Sequence, residues 1–301
     1  MTLQQLPMTQ LSLFGESVST PVVNIATVPH RSPFRYPGGK TWLVPRIRQW
    51  LVKTPRRPAK FIEPFAGGAI VSLTVAFEKL AENVVLVEKD EQVAAVWHTI
   101  INDEGGAPWL ANEIISFDLT RESAQRVLAS VASSTREVAF QTIVQNRTSH
   151  GGILAPGAGA IKHGENRKGI SSRWYAKTLS RRILDIGAIR RRLKFIEGDA
   201  FEIMRQHKHD PNATFFLDPP YTASTKRAGS RLYRYHQIDH DELFRLASEV
   251  AGDFLMTYDD AEEVRAMAEV RGFDTRLVAM NNTHHATMNE LLIGRDLSWL
   301  W

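Results

Sequence analysis

Apolar positions along this chain fall into two kinds of run. Short blocks with few polar residues, Lys60 to Phe65, Val84 to Val87, Leu193 to Glu197 and Thr214 to Leu217, read as strands covered on both faces. Between and beyond them apolar residues recur at helical spacing over Trp42 to Leu51, Ala69 to Leu80, Glu91 to Ile101, Thr178 to Arg192, Asp239 to Val250 and Asp260 to Val270. Phe254 to Thr257 and Glu290 to Ile293 read as the last strands. Strands alternating with helices predict an α/β fold on a largely parallel sheet. No internal repeat interrupts the pattern.

Two stretches depart from it. Residues 1–32 have no sustained period, and Glu16 and Arg31 are their only charges beyond His30, so they read as a flexible tail ahead of a body that begins near Pro33. Residues 110–145 look helical, whereas Asn146 to Ser172 is crowded with Gly, Ser, His and Asn. A long irregular stretch inside a compact domain points to function. The expected organisation is a tail over 1–32, a first core part over 33–110, a mainly helical insert over 111–190 and a second core part over 191–301. A chain of 301 residues is large for one core, which agrees with an insert.

Composition narrows the class. A hydrophobic content of 43% and a charged content of 23% are ordinary for a globular protein. No run of 18 apolar residues predicts a membrane span, and the N-terminus lacks a basic region followed by an apolar block, so the expected location is the cytoplasm. The absence of cysteine excludes disulfides, thiol nucleophiles and cysteine-held metals. His284-His285 has no spaced partners and reads as a polar loop, so no metal is expected. Charge is uneven: from Lys162 to Lys194 there are eleven Lys and Arg against Glu165 and Asp185, a balance of +9 in a chain of net +4. That concentration, with Arg167, Lys168, Arg173, Lys177, Arg181, Arg182 and Arg190 to Arg192, is a footprint for phosphates.

The candidate chemistry lies where strands end. Asp218-Pro219-Pro220-Tyr221 follows Thr214 to Leu217, so a buried strand ends in a stiff turn that presents a carboxylate, carbonyls and an aromatic ring. Such a turn is equipped to hold the exocyclic amine of a flipped nucleobase, with Tyr221 stacked on the ring. Upstream, Phe61 to Gly68 is an apolar stretch entering a glycine turn before a helix. It lacks the G-x-G-x-x-G of a dinucleotide site, and Glu63 would repel a pyrophosphate but pair with an amine-bearing ligand. Glu88, 20 to 21 residues beyond the glycines, is placed for ribose hydroxyls, with Asp90 its competitor and helix capping the plainer alternative for both. Asp199 suits either an adenine amine or a helix N-cap. A ligand with a ribose, an adenine and an ammonium group but no phosphates fits, and S-adenosylmethionine has that combination.

These residues resemble the Dam-like, or D12-class, adenine-N6 DNA methyltransferases. The resemblance is carried by Tyr36-Pro37-Gly38-Gly39-Lys40, Phe61 to Ala69, Val84 to Glu88, Asn146-Arg147, Gly198-Asp199 and Asp218 to Tyr221, in the family's order. Tyr235, His240 and Leu243 resemble its stretch after the catalytic turn. The chain departs from the pattern in having adjacent Gly67 and Gly68 where the family often has G-x-G, and Glu88 where aspartate is commoner. The resemblance implies a Rossmann-like fold with a mixed, mostly parallel seven-stranded sheet and a target-recognition insert. It implies catalysis at Asp218, Pro219 and Tyr221, and S-adenosyl-L-methionine held by Tyr36, Lys40, Glu63, Phe65, Gly67, Glu88, Asp199 and Asp218. Arg147, Arg167, Lys168 and Arg173 are then expected on double-stranded DNA, chiefly at phosphates. A cognate restriction endonuclease is a further partner the family allows. The alternatives are an adenine-N6 methyltransferase of RNA and a non-catalytic DNA-binding regulator.

The tail carries a separate signal. Gln10-Leu11-Ser12-Leu13-Phe14 resembles the peptide by which bacterial replication and repair proteins dock on the DNA sliding clamp. Gln10, Leu11, Leu13 and Phe14 would supply the polar register and the apolar anchors.

Overall fold

A computed structural model describes residues 28–300 apart from 55, 163, 165–168, 221–233, 236 and 282–286. Among the described residues seven strands form one sheet: β1 Lys60–Glu63, β2 Asn83–Glu88, β3 Leu193–Glu197, β4 Ala213–Leu217, β5 Asp253–Asp259, β6 Asp274–Asn281 and β7 Thr287–Gly294. Their order is β3-β2-β1-β4-β5-β7-β6. The first five are mutually parallel, and β7 runs antiparallel between β5 and β6. This is the mixed, mostly parallel Rossmann-like sheet that the resemblance implied.

Successive strand residues face opposite layers, which is why the strands read as unbroken apolar runs. Phe61, Leu86, Phe216 and Leu255 enter one core with α1 Val44–Lys53, α2 Ile70–Phe77 and α3 Glu91–Trp97. Ile62, Val85, Phe215 and Met256 enter the other with α8 Ala200–His207, α9 His240–Glu249 and α10 Glu262–Val270.

The crossover from β2 to β3, which one helix can span, holds among the described residues α3 and four more α-helices: α4 Gly106–Ser116, α5 Arg121–Ala129, α6 Thr135–Thr148 and α7 Ala176–Ala188. The stretch 110–145, expected to be helical, consists of three helices. Thr120 caps α5 in a reciprocal bond pair with Ser123, and Ser134 caps α6. The expected boundary at 110/111 falls inside α4, whose Leu110 and Ile114 share the main core with Ile183 and Ile186 of α7. A smaller cluster of Leu119, Ala124 and Val144, walled by Phe117, Phe140 and Trp174, holds α5 to α6. The insert is therefore rooted in the main core.

Two elements lie outside the expectation. One is β6, an edge strand: Leu277-Val278-Ala279-Met280 is an apolar run that lies outside the expected strands, and from Asp274 to Ala279 only Val278 is buried. The short α8 buries little beyond Ala200, Ile203 and Met204. Strand order reverses between β1 and β4, whose carboxyl ends open a crevice, the usual ligand position in such sheets. No helix among the described residues is long and apolar enough to cross a membrane.

Candidate active site

A cavity of about 960 Å³ occupies this crevice. Its floor is the turn after β1. Gly67 has φ of +46°, and a Cβ there would lie 2.6 Å from the Tyr36 ring. A Cβ on Gly68 would lie 2.8 Å from Tyr36 Cβ, so two bare backbones let Tyr36 settle on the turn. Trp97 Nε1 donates to the Gly67 carbonyl at 2.9 Å, and the Gly67 amide donates to Glu88 Oε2 at 2.8 Å. Glu63, 3% exposed, accepts from the Ser72 amide at 2.9 Å and ties β1 to the first turn of α2. Burial pushes its carboxyl up to about 8, so it is largely neutral at pH 7.

The two acids after β2 have separate tasks. Asp90 caps α3, accepting from the Gln92 amide at 2.9 Å and the Val93 amide at 3.4 Å. Glu88 does not cap; its other oxygen accepts from the Lys89 and Asp90 amides at 2.8 and 2.9 Å, and its side chain lines the cavity. Burial pushes it up to about 7, against the pull of these amides. Asp199 fulfils the cap reading and also lines the cavity: one oxygen accepts from the Phe201 amide at 2.9 Å, the other meets Lys89 Nζ at 3.0 Å. Burial acts to raise its pKa, but Lys89 and the helix amide outweigh this and hold it low. Phe65 and Phe201 meet edge to face with centroids 6.5 Å apart and form apolar walls beside it.

At the opposite side β4 delivers Asp218. Its Oδ1 accepts from the Thr257 hydroxyl at 2.8 Å and meets Lys40 Nζ at 3.0 Å. Lys40 is 4% exposed; it also donates to the Gly38 carbonyl at 3.0 Å and meets Glu290 Oε1 at 3.2 Å. The segment before α1 therefore lends its ammonium to Asp218. Pro219, Pro220 and Asp259 line the same space. Thr257, Asp259, Phe201 and Glu290 were not anticipated as site residues, since each is an ordinary strand or helix residue until the sheet brings it to the crevice.

The residues expected on DNA divide. Arg147 is 5% exposed and its guanidinium donates to the Pro33 carbonyl, so it does not present itself to phosphate, contrary to expectation. Burial, then the charges of Arg182 and Arg35, push its pKa down to about 10. Neighbouring Asn146 accepts from the Arg35 amide at 2.9 Å and donates to the Arg35 and Gly152 carbonyls at 3.0 and 2.6 Å. This pair clips the segment that leads into Tyr36 and Lys40. Arg147→Met is expected to cost roughly 1–3 kcal/mol of stability, from the orphaned carbonyl, and to leave the salt dependence of nucleic-acid binding unchanged. Melting curves and binding titrations across salt check this; a phosphate contact would instead lower the salt slope by about 1. Arg173 is half-buried and does not line the cavity. Arg167, Lys168, Tyr221, His284-His285 and the peptide with Gln10, Leu11, Leu13 and Phe14 lie outside the described residues.

The donor set suits S-adenosylmethionine. Asp199 with two phenyl walls fits an adenine, Glu88 a ribose, and the bare glycine backbone with Asp218 beside it fits a compact cationic arm without phosphates. The family model for D12 class N6 adenine-specific DNA methyltransferases matches residues 36–125, from Tyr36 through Glu88 into the insert. The chain is similar to the Type II methyltransferase M.MjaIII of Methanocaldococcus jannaschii, 24% identical over 238 residues, covering 71% of this chain and 78% of that protein. Among solved structures it is similar to the rRNA methyltransferase AviRa of Streptomyces viridochromogenes, with 13% identity, TM-score 0.38 and 86% of each chain covered. Another is a precorrin 8w decarboxylase of Methanobacterium thermoautotrophicum, with 11% identity, TM-score 0.30 and coverage of 83% and 89%. The family match and the curated relative support the D12-class reading, and the class implies S-adenosyl-L-methionine as methyl donor.

Proposed function

We propose that this chain is a methyltransferase of the D12 class that acts on DNA, at N6 of an adenine flipped out of the duplex. The observation that carries the chemistry is Asp218, fixed from behind by Thr257 and Lys40 at the mouth of the switch-point crevice and followed by two prolines. Adenine N6 is a poor nucleophile because its lone pair is delocalised into the ring. Its two N–H groups would donate to the Asp218 carboxylate and the Pro219 carbonyl, which favours a pyramidal nitrogen and directs the lone pair toward the donor arm. S-adenosyl-L-methionine supplies an electrophilic methyl group on a sulfonium. The proton that N6 sheds as it takes the methyl group, a transfer that leaves the donor a neutral thioether, would pass along its hydrogen bond to the Asp218 carboxylate, and positioning and charge stabilisation supply the rest. Tyr221 follows as the stacking partner for the extruded base.

Duplex binding is assigned to the insert, where Lys177 and Arg181 are exposed on α7, with exposed Arg191 and Lys194 just beyond it where the chain re-enters the sheet. The clamp-like peptide and a restriction partner would bear on where the enzyme acts, and the chemistry does not depend on them. Transfer of labelled methyl groups to matched duplex DNA, single-stranded DNA and RNA, with hydrolysis to identify the methylated base, tests the substrate. N6-methyladenine in duplex DNA supports the proposal, and label confined to RNA overturns it.

Glu88 gives a pH dependence. Its carboxyl titrates at about 7 through burial, and only the ionised form offers both oxygens to ribose hydroxyls. Donor affinity is expected to strengthen as pH rises toward 7 and to weaken by up to about tenfold per unit below it. Glu88→Gln should flatten that profile in calorimetric titrations with the donor.

A further inference from the structure

Four carboxylates reach the crevice from four adjacent strands. Glu63 ends β1, Asp218 follows β4, Asp259 ends β5, and Glu290 stands on β7 directly opposite Asp259 in the antiparallel register. All four line the cavity. Like charges opposite one another on paired strands repel, and a carboxylate as buried as Glu290, 3% exposed, is costly without an ionic partner. Lys40 is that partner, 3.2 Å from Glu290 and 3.0 Å from Asp218, with the Gly38 carbonyl at 3.0 Å as a further acceptor. An ammonium has three donors and no preferred plane, so its direction is set by the acceptors around it. Gly38 and Glu290 hold the ammonium on the side where it meets Asp218.

We infer that Glu290 is a positioning residue, which holds the Lys40 ammonium against Asp218 and thereby fixes the carboxylate that receives the amine. It acts through Lys40. The inference rests on the proposed role of Asp218 and adds to it a residue from the far, antiparallel side of the sheet.

A double-mutant cycle tests it. Glu290→Met, which fills the space without an acceptor, is expected to lower kcat about tenfold, and Lys40→Met about a hundredfold. The double variant should match Lys40→Met alone, because Glu290 has nothing left to aim. Glu290→Gln keeps an acceptor for Lys40 and should retain kcat within about threefold, with donor affinity unchanged in titrations. Losses that multiply in the double variant overturn the inference, since a residue supporting only the fold would act independently of Lys40. So does a Glu290→Gln enzyme that folds, binds donor and is as slow as Glu290→Met. Full activity in Asp218→Ala would instead sink the proposed function, a result obtained without touching Glu290.

Discussion

Asp218→Ala is expected to lower methyl transfer by about 10² to 10³-fold while donor and duplex affinities stay within a few-fold of the parent enzyme. The carboxylate is 21% exposed at its side chain, enough to meet a ligand in the cavity, and its Oδ1 is fixed by Thr257 at 2.8 Å and Lys40 at 3.0 Å. Removing it deletes the acceptor that shapes the nucleophile and takes from Lys40 one of its ionic partners. Binding should survive, because the adenine and ribose ends of the donor meet Asp199, Phe201 and Glu88 on the other side of the crevice. Asp218→Asn should be nearly as inactive: its amide can turn a donor toward a group that also donates. Single-turnover transfer read beside calorimetric donor binding separates the two effects. A parallel loss of donor binding and rate would place Asp218 chiefly on the donor and not on the target amine.

Gly67→Ala is expected to lower donor affinity by about tenfold or more and to lower the melting temperature by a few degrees. At φ of +46° a non-glycine residue is strained by about 1–2 kcal/mol. The added carbon would also meet the Tyr36 ring at 2.6 Å, forcing Tyr36 off the turn. The same residue donates its amide to Glu88 and accepts from Trp97, so a shift there reaches the ribose side as well. Gly272→Ala, at φ of +65° with nothing within 4 Å of the new carbon, is the control for backbone strain alone. Equal donor affinity in both variants would show that the glycine turn does not shape the donor site.

The central strands were legible because burial on both faces writes itself as apolar runs, as in β4, where Thr214 to Leu217 is buried throughout; Leu193 to Glu197, at the edge, is a strand with the bounds its pattern suggested. The prolines after β4 and the glycine turn after β1 were legible for another reason: prolines and glycines report local backbone demands that do not depend on distant residues. What depends on distant residues was not legible. Glu88 and Asp90 look alike in sequence, and only the fold of α3 onto its cap separates them. Arg147 sits in a basic, glycine-rich neighbourhood, and charge pattern cannot distinguish a solvated guanidinium from one buried on the Pro33 carbonyl. Glu290 is one acid in a late strand until β7 pairs with β5 and brings it to Lys40.

The central claim is that this site methylates adenine N6 in duplex DNA. Single-molecule sequencing of genomic DNA from cells expressing the chain, beside cells expressing Asp218→Ala, tests it most directly. The account predicts N6-methyladenine in a recurrent sequence motif with the intact chain and none with the variant. Unmethylated DNA in both, with the protein folded and S-adenosyl-L-methionine bound, would contradict it.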